Sequence, residues 1–192
     1  MSIGKPLQTR LLQLCYGFCL LWVVGTAYAD GSTDTPWYIL DTKYTQIRYQ
    51  SWKNLKKFGN NINYSPGLFD LKGLFTKKSH DDLKKEIKGK VDAVYERVQE
   101  ILDMRKWMKK VTINIYPDKK ALHAAYEKIF GNPCHFRSWY IYELNTIYIN
   151  VRDTHEGMLA HEIAHSIIDH YLLVRPPRAT AEILARYVDK HL

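Results

Sequence analysis

The spacing of apolar and polar side chains divides the chain into short alternating runs and longer helical stretches. Residues 44–51 alternate as a strand does, with Ile47 and Tyr49 on one side and Gln46, Arg48 and Gln50 on the other. After Ser79 the period changes. Leu83, Ile87, Val91, Val94, Val98 and Leu102 recur at three and four, which makes one apolar helix face. Ser79 stands as its cap, and Asp81 and Asp82 put negative charge at the positive end of the helix dipole. Residues 111–116 alternate again and stop at Pro117-Asp118, and 119–130 read as a helix ended by Gly131-Asn132-Pro133. The β-rich runs 139–142 and 146–151 flank Glu143-Leu144-Asn145 and predict a hairpin. Thr154 is the expected cap of a helix over about 156–170, Pro176-Pro177 breaks the chain, and 179–191 form a last helix.

Two stretches carry no such period. Residues 30–43 are polar and read as a flexible segment. Residues 52–78 contain Gly59-Asn60-Asn61 and Ser65-Pro66-Gly67 and read as an irregular insertion with room for one short helix. The order strand, helix, strand, helix, hairpin, helix, helix predicts one α+β domain over 44–192, a small mixed β-sheet packed against the 156–170 helix and the C-terminal helix.

Composition changes this picture at the N-terminus. The 192 residues are 46% apolar and 25% charged, which excludes disorder. Lys5 and Arg10 precede an apolar run over 11–24 and then Ala27-Tyr28-Ala29, the three parts of a signal peptide spanning 1–29. Cleavage is expected before Asp30, giving a secreted or periplasmic protein, with a membrane contact only if this segment stays uncleaved. Cleavage removes Cys15 and Cys19 and leaves Cys134 alone, so packing or metal, not a disulfide, holds the mature chain together. Of the net +8, residues 43–110 carry the excess, with 17 basic against 8 acidic residues. These lysines are scattered rather than interleaved with aromatics, so no nucleic-acid partner is expected; a solvated face or attraction to an anionic surface both fit.

The sharp chemical signal is His161-Glu162-Ile163-Ala164-His165. Residues four apart on a helix lie about 40° apart around its axis, so His161 and His165 project together and can hold one ion, with Glu162 beside them. Neutral imidazoles leave a zinc ion with open positions and enough charge to acidify a water, and a neighbouring carboxylate can take that water's proton. A catalytic zinc takes a third protein ligand. His170 is nearest in sequence but sits about 140° around the helix from His165 and faces away. Glu182 follows the proline break on a helix that can fold back antiparallel to the first; as a surface residue it would instead pair with Arg178 or Arg186.

His161-Glu-Ile-Ala-His165 followed by Glu182-Ile-Leu-Ala-Arg-Tyr187-Val188 resembles the gluzincin metallopeptidases, in particular their compact peptidase MA-like members, whose second helix reads close to EGLAEYV. Residues 142–150 are similar to the hairpin that leads into that family's zinc helix. The resemblance implies one Zn2+ on His161, His165 and Glu182, Glu162 as general base, a peptide or protein substrate, and a strand over 146–151 that offers its edge to an extended peptide. Ile183 replaces the family's glycine, and Arg186 stands where the family has a carboxylate that supports the ligand; Asp169 is a candidate substitute for that acid. The sequence runs only to Leu192, so the far wall that a C-terminal domain builds in larger relatives is expected to be missing. His155, Tyr171 and Tyr187 are the side chains nearest in pattern to an oxyanion donor. Beside the peptidase reading stand a catalytically silent zinc module docking on a partner or anionic surface, and a zinc hydrolase of non-peptide amide bonds. The pattern does not specify an oligomeric state.

Overall fold

The computed structural model describes residues 36–64 and 79–192. The proposed signal peptide, residues 1–29, and the part of the expected insertion over 65–78 lie outside the described residues. Five strands form one mixed sheet in the order β1-β2-β3-β5-β4, where β1 is Tyr38–Asp41, β2 Thr45–Tyr49, β3 Val111–Tyr116, β4 Ser138–Ile141 and β5 Thr146–Asn150. β2, β3 and β5 run parallel, and β1 and β4 are the antiparallel edges. Five helices accompany them: α1 Trp52–Asn61, α2 His80–Leu102, α3 Lys119–Phe130, α4 Glu156–Tyr171 and α5 Arg178–His191. The mixed sheet with helices agrees with the α+β expectation.

The pleat sorts the central strands between two layers. Ile113, Ile115, Ile147 and Ile149 pack into the main core with Val91, Val94 and Val98 of α2 and with Leu159, Ile163 and Ile167 of α4. Tyr116 and Tyr148 face the other way and meet Leu122 and Ala125 of α3, with Trp139 stacked on Tyr148 at 5.0 Å. Every residue of β5 is buried, as befits a parallel strand covered on both faces. The cap of α2 is as the sequence reads: the Ser79 hydroxyl accepts from the Asp82 amide while Asp82 reaches back to the Ser79 amide.

Four expectations differ. The segment expected to be flexible over 30–43 contains β1, an edge strand with Leu40 as its single buried side chain. Such a strand leaves almost no alternation to read. The Asp92 carboxylate on α2 holds the turn behind it, accepting from the Thr42 hydroxyl at 2.7 Å and the Lys43 amide at 3.1 Å. Over 52–61 the short helix for which the expected insertion had room is α1, capped by Ser51, and rather than standing apart as an insertion it contributes Leu55 and Phe58 to the core. Its Gly59 touches Ile87 of α2 so closely that a Cβ there would overlap the Ile87 side chain. The cap of α4 is His155, whose Nδ1 accepts from the Met158 amide at 3.3 Å; the Thr154 hydroxyl bonds the Asn150 carbonyl instead. Finally, the strand over 146–151 offers no edge. β5 is paired with β3 on one side and with β4 on the other, so the edge beside α4 belongs to β4.

Candidate metal centre

α4 places His161 and His165 one turn apart with their Nε2 atoms 3.2 Å from each other. α5 then returns antiparallel after Pro176-Pro177. Its small residues Ala181 and Ala185, with Val188, face α4, and Gly157 of α4 leaves room for the Asp189 side chain. That close approach brings Glu182 over the histidines. Its Oε2 lies 3.4 Å from His165 Nε2 and 3.8 Å from His161 Nε2.

These three atoms form a triangle whose centre is about 2.0 Å from each corner, the bond length of imidazole nitrogen and carboxylate oxygen to a divalent metal such as zinc. Two neutral nitrogen donors and one carboxylate are also the donor set such an ion accepts. Among the described residues, His161, His165 and Glu182 are the group of three able to hold a metal. Burial, then the neighbouring His161, lowers the pKa of His165 and so favours the neutral form a ligand needs. Burial raises the Glu182 carboxyl, but hydrogen bonding from Arg186 and the charge of the two histidines outweigh it and leave the net shift downward. Glu182 thus makes two contacts: Oε1 accepts from Arg186 Nε at 3.0 Å, the pairing expected of a surface glutamate, while Oε2 faces the histidines. Arg186 is thus the group that orients Glu182, where the family pattern has an acid.

Glu162 points to the other side, toward the sheet. It is buried, and burial pushes its pKa up to about 7, with the Ser138 hydrogen bond pulling down and the Glu182 charge pushing up. Ser138, the first residue of β4, donates its hydroxyl to Glu162 Oε1 at 2.6 Å. One carboxylate oxygen is thereby fixed against the first residue of β4, on the residue that follows His161 in the chain.

His170 faces away from the cluster, as the helix angle requires. Its Nε2 is 3.3 Å from the Tyr140 hydroxyl, and its ring packs 4.9 Å from Tyr142. Asp169 is engaged elsewhere, in a pair with Arg175 at 2.9 Å. Of the oxyanion candidates, His155 is occupied in capping α4 and Tyr187 stacks on His191 at 4.0 Å.

Sequence reasoning missed Ser138 and Asn145. Asn145, in the β4–β5 turn, has φ 44, the left-handed region that asparagine tolerates. Its amide accepts from the Ser166 hydroxyl at 2.8 Å and the Tyr140 hydroxyl at 3.2 Å, and donates to the carbonyls of Lys109 at 3.3 Å and Lys110 at 3.2 Å. Since Ser166 follows His165, one buried amide ties the hairpin, the segment before β3 and the histidine helix together. A β-turn asparagine was the one visible signal.

No protein-family model matches the chain, and no curated protein or solved structure matches it significantly.

Proposed function

We propose that the protein is an exported zinc-dependent metallopeptidase of compact gluzincin type, with His161, His165 and Glu182 as zinc ligands and Glu162 as general base. The observation that carries this reading is the convergence of three donor atoms around one point, two of them on a helix whose buried Glu162, adjacent in sequence to His161, has its carboxylate anchored by Ser138. Zinc, when bound, supplies the positive charge that acidifies a water and polarises a substrate carbonyl. The chain's own residues do the rest. Glu162 takes a proton from the water as its oxygen bonds to the carbonyl carbon, and returns that proton to the leaving nitrogen as the C–N bond breaks. Ser138 holds Glu162 Oε1, which keeps the carboxylate oriented through both transfers. Arg186 holds Glu182 Oε1 and limits its rotation away from the histidines. The edge of β4 runs into this site through Ser138, so it is the edge on which an extended peptide would add as a further strand.

The test is a peptide-library digest, with metal analysis, of the parent protein and Glu162→Gln. The reading requires one zinc in each protein and cleavage that falls by orders of magnitude in the variant. The pairing of the ligand carboxylate with Arg186 favours a second reading, a silent zinc module. Full zinc in both proteins with no cleavage by the parent would establish that instead, while cleavage confined to non-peptide amides would give the third reading.

A further inference from the structure

One end of the sheet collects exposed apolar side chains, and cations without an ion pair among the described residues, that the metal centre does not use. Because β3 and β5 are parallel, the segments entering them, 103–110 and 142–145, emerge at the same end. α4 runs opposite to β5 and delivers the loop 172–177 there too, where the Arg175 guanidinium lies 4.6 Å over the Tyr142 ring.

Each segment carries an apolar residue at its tip. Leu173 is fully exposed, Trp107 is 89% exposed, Val174 81% and Leu144 55%. Charge surrounds them: residues 103–110, 142–145 and 172–178 hold six cations against two acids, a net of +4, and Glu96 and Glu100 of α2, which line one cavity with Arg105, Lys106 and Trp107, are offset by their pairs with Lys43 and Arg97. Lys110 pairs with Asp41 and Arg175 with Asp169, whereas Arg105, Lys106 and Lys109 make no ion pair among the described residues. The Trp107 loop is also held from behind. Gln99 donates to the carbonyls of Met104 at 3.4 Å and Lys106 at 3.3 Å, and Asn145 donates to those of Lys109 and Lys110. Met104 and Met108 pack against the core, while Arg105, Lys106, Trp107 and Lys109 are exposed.

We propose that this end docks the protein on an anionic phospholipid surface, with Trp107, Leu144, Leu173 and Val174 entering the headgroup region and Arg105, Lys106 and Lys109 lying against lipid phosphates. The apolar groups stand on separate turn tips rather than in one groove or flat face, a shape that suits a deformable bilayer interface. A tryptophan flanked by basic residues suits the boundary between headgroups and acyl chains. The charge is complementary to anionic lipid, and each cation held near such a surface raises partitioning roughly fivefold. This surface is distinct from the metal centre, and its docking does not depend on the zinc chemistry. It does bear on where that chemistry acts, since His165 is six residues, about 9 Å along α4, from the helix end that reaches the lipid.

The test is sedimentation of the full chain with vesicles of phosphatidylcholine alone and of phosphatidylcholine mixed with phosphatidylglycerol, alongside quenching of tryptophan emission by brominated lipid. Binding to the anionic vesicles alone is expected. Lys106→Ala/Lys109→Ala should lower it on the order of 30-fold, and Leu173→Ser/Val174→Ser should lower it at unchanged charge. Trp107→Phe should remove the lipid-quenched part of the emission while the protein still binds. These are surface changes, and an unchanged thermal transition for each confirms folding. Three results would overturn the proposal: equal binding by the parent and both double variants, as an N-terminal anchor alone would give; quenching unaffected by Trp107→Phe; or binding to soluble polyglutamate but to neither kind of vesicle.

Discussion

Replacing Asn145 tests how the hairpin and the histidine helix are held to one another. In Asn145→Ala two costs add. The left-handed backbone at φ 44 strains a residue with a Cβ and no compensating polar side chain, about 1–2 kcal/mol. The side chain's four hydrogen bonds also disappear. Tyr140 keeps a contact with His170 at 3.3 Å, and the Lys109 and Lys110 carbonyls can recover water near the surface, but the buried Ser166 hydroxyl keeps only its contact with the Tyr140 hydroxyl. At about 1 kcal/mol for a typical hydrogen bond, four bonds lost and in part replaced make this second cost about 2–3 kcal/mol. The total, about 3–5 kcal/mol, is unusually large for one turn residue. Asn145→Gly separates the two, because glycine adopts positive φ without strain and should lose only the hydrogen-bond part. Urea unfolding of the three proteins at constant m-value is the assay. A glycine variant as stable as the parent would show that the network contributes nothing, and identical losses for alanine and glycine would refute the backbone argument.

Three further outcomes follow from packing and charge. Gly59→Ala gains up to about 1 kcal/mol of helix propensity but forces a methyl group onto the buried Ile87 side chain, an overpacking cost of about 1–3 kcal/mol; the variant should have a lower urea midpoint, and a higher one would show that α1 and α2 can separate. Ser138→Ala should leave zinc content unchanged and reduce kcat more than KM for any peptide the parent cleaves, with Ser138→Thr restoring part of it; a change in KM alone would mean that Ser138 contacts substrate rather than Glu162. In chelator, the folded protein binds the Glu162 proton more tightly than the unfolded chain does, so stability should fall as pH rises from about 4.5 to about 7, by on the order of 3 kcal/mol. Glu162→Gln should flatten that slope in unfolding measured across the window, and an unchanged slope would mean that the carboxyl is ionised at little cost.

Much of the scaffold was legible because it repeats. The α2 stripe, the β3 alternation and the glycine stop after α3 each follow from a period or a cap that several residues share, and each element lies where the pattern places it. The pairing of His161 with His165 is local helix geometry and needs no tertiary information. β1 was hidden, and α1 only partly visible, for the opposite reason. One buried side chain in a four-residue edge strand cannot show alternation, and in α1 a glycine that reads as a breaker is there because Ile87 leaves no space for a side chain. Ser138 and Asn145 act through contacts 24 and 21 residues away in the chain, to Glu162 and Ser166, and no spacing rule encodes which serine or asparagine lands there. The edge assignment failed because a hairpin shows that two strands pair but not which of them a third strand covers, and β3 covers β5.

The central claim is that His161, His165 and Glu182 hold one zinc ion while His170 does not. Competition titration of zinc against a chromophoric chelator, on the parent protein and on His161→Ala, Glu182→Ala and His170→Ala, tests it directly. The account predicts one tight site in the parent, its loss in His161→Ala, substantial weakening in Glu182→Ala and parent-like affinity in His170→Ala. Stoichiometric, tight zinc in Glu182→Ala together with loss of zinc in His170→Ala would contradict it.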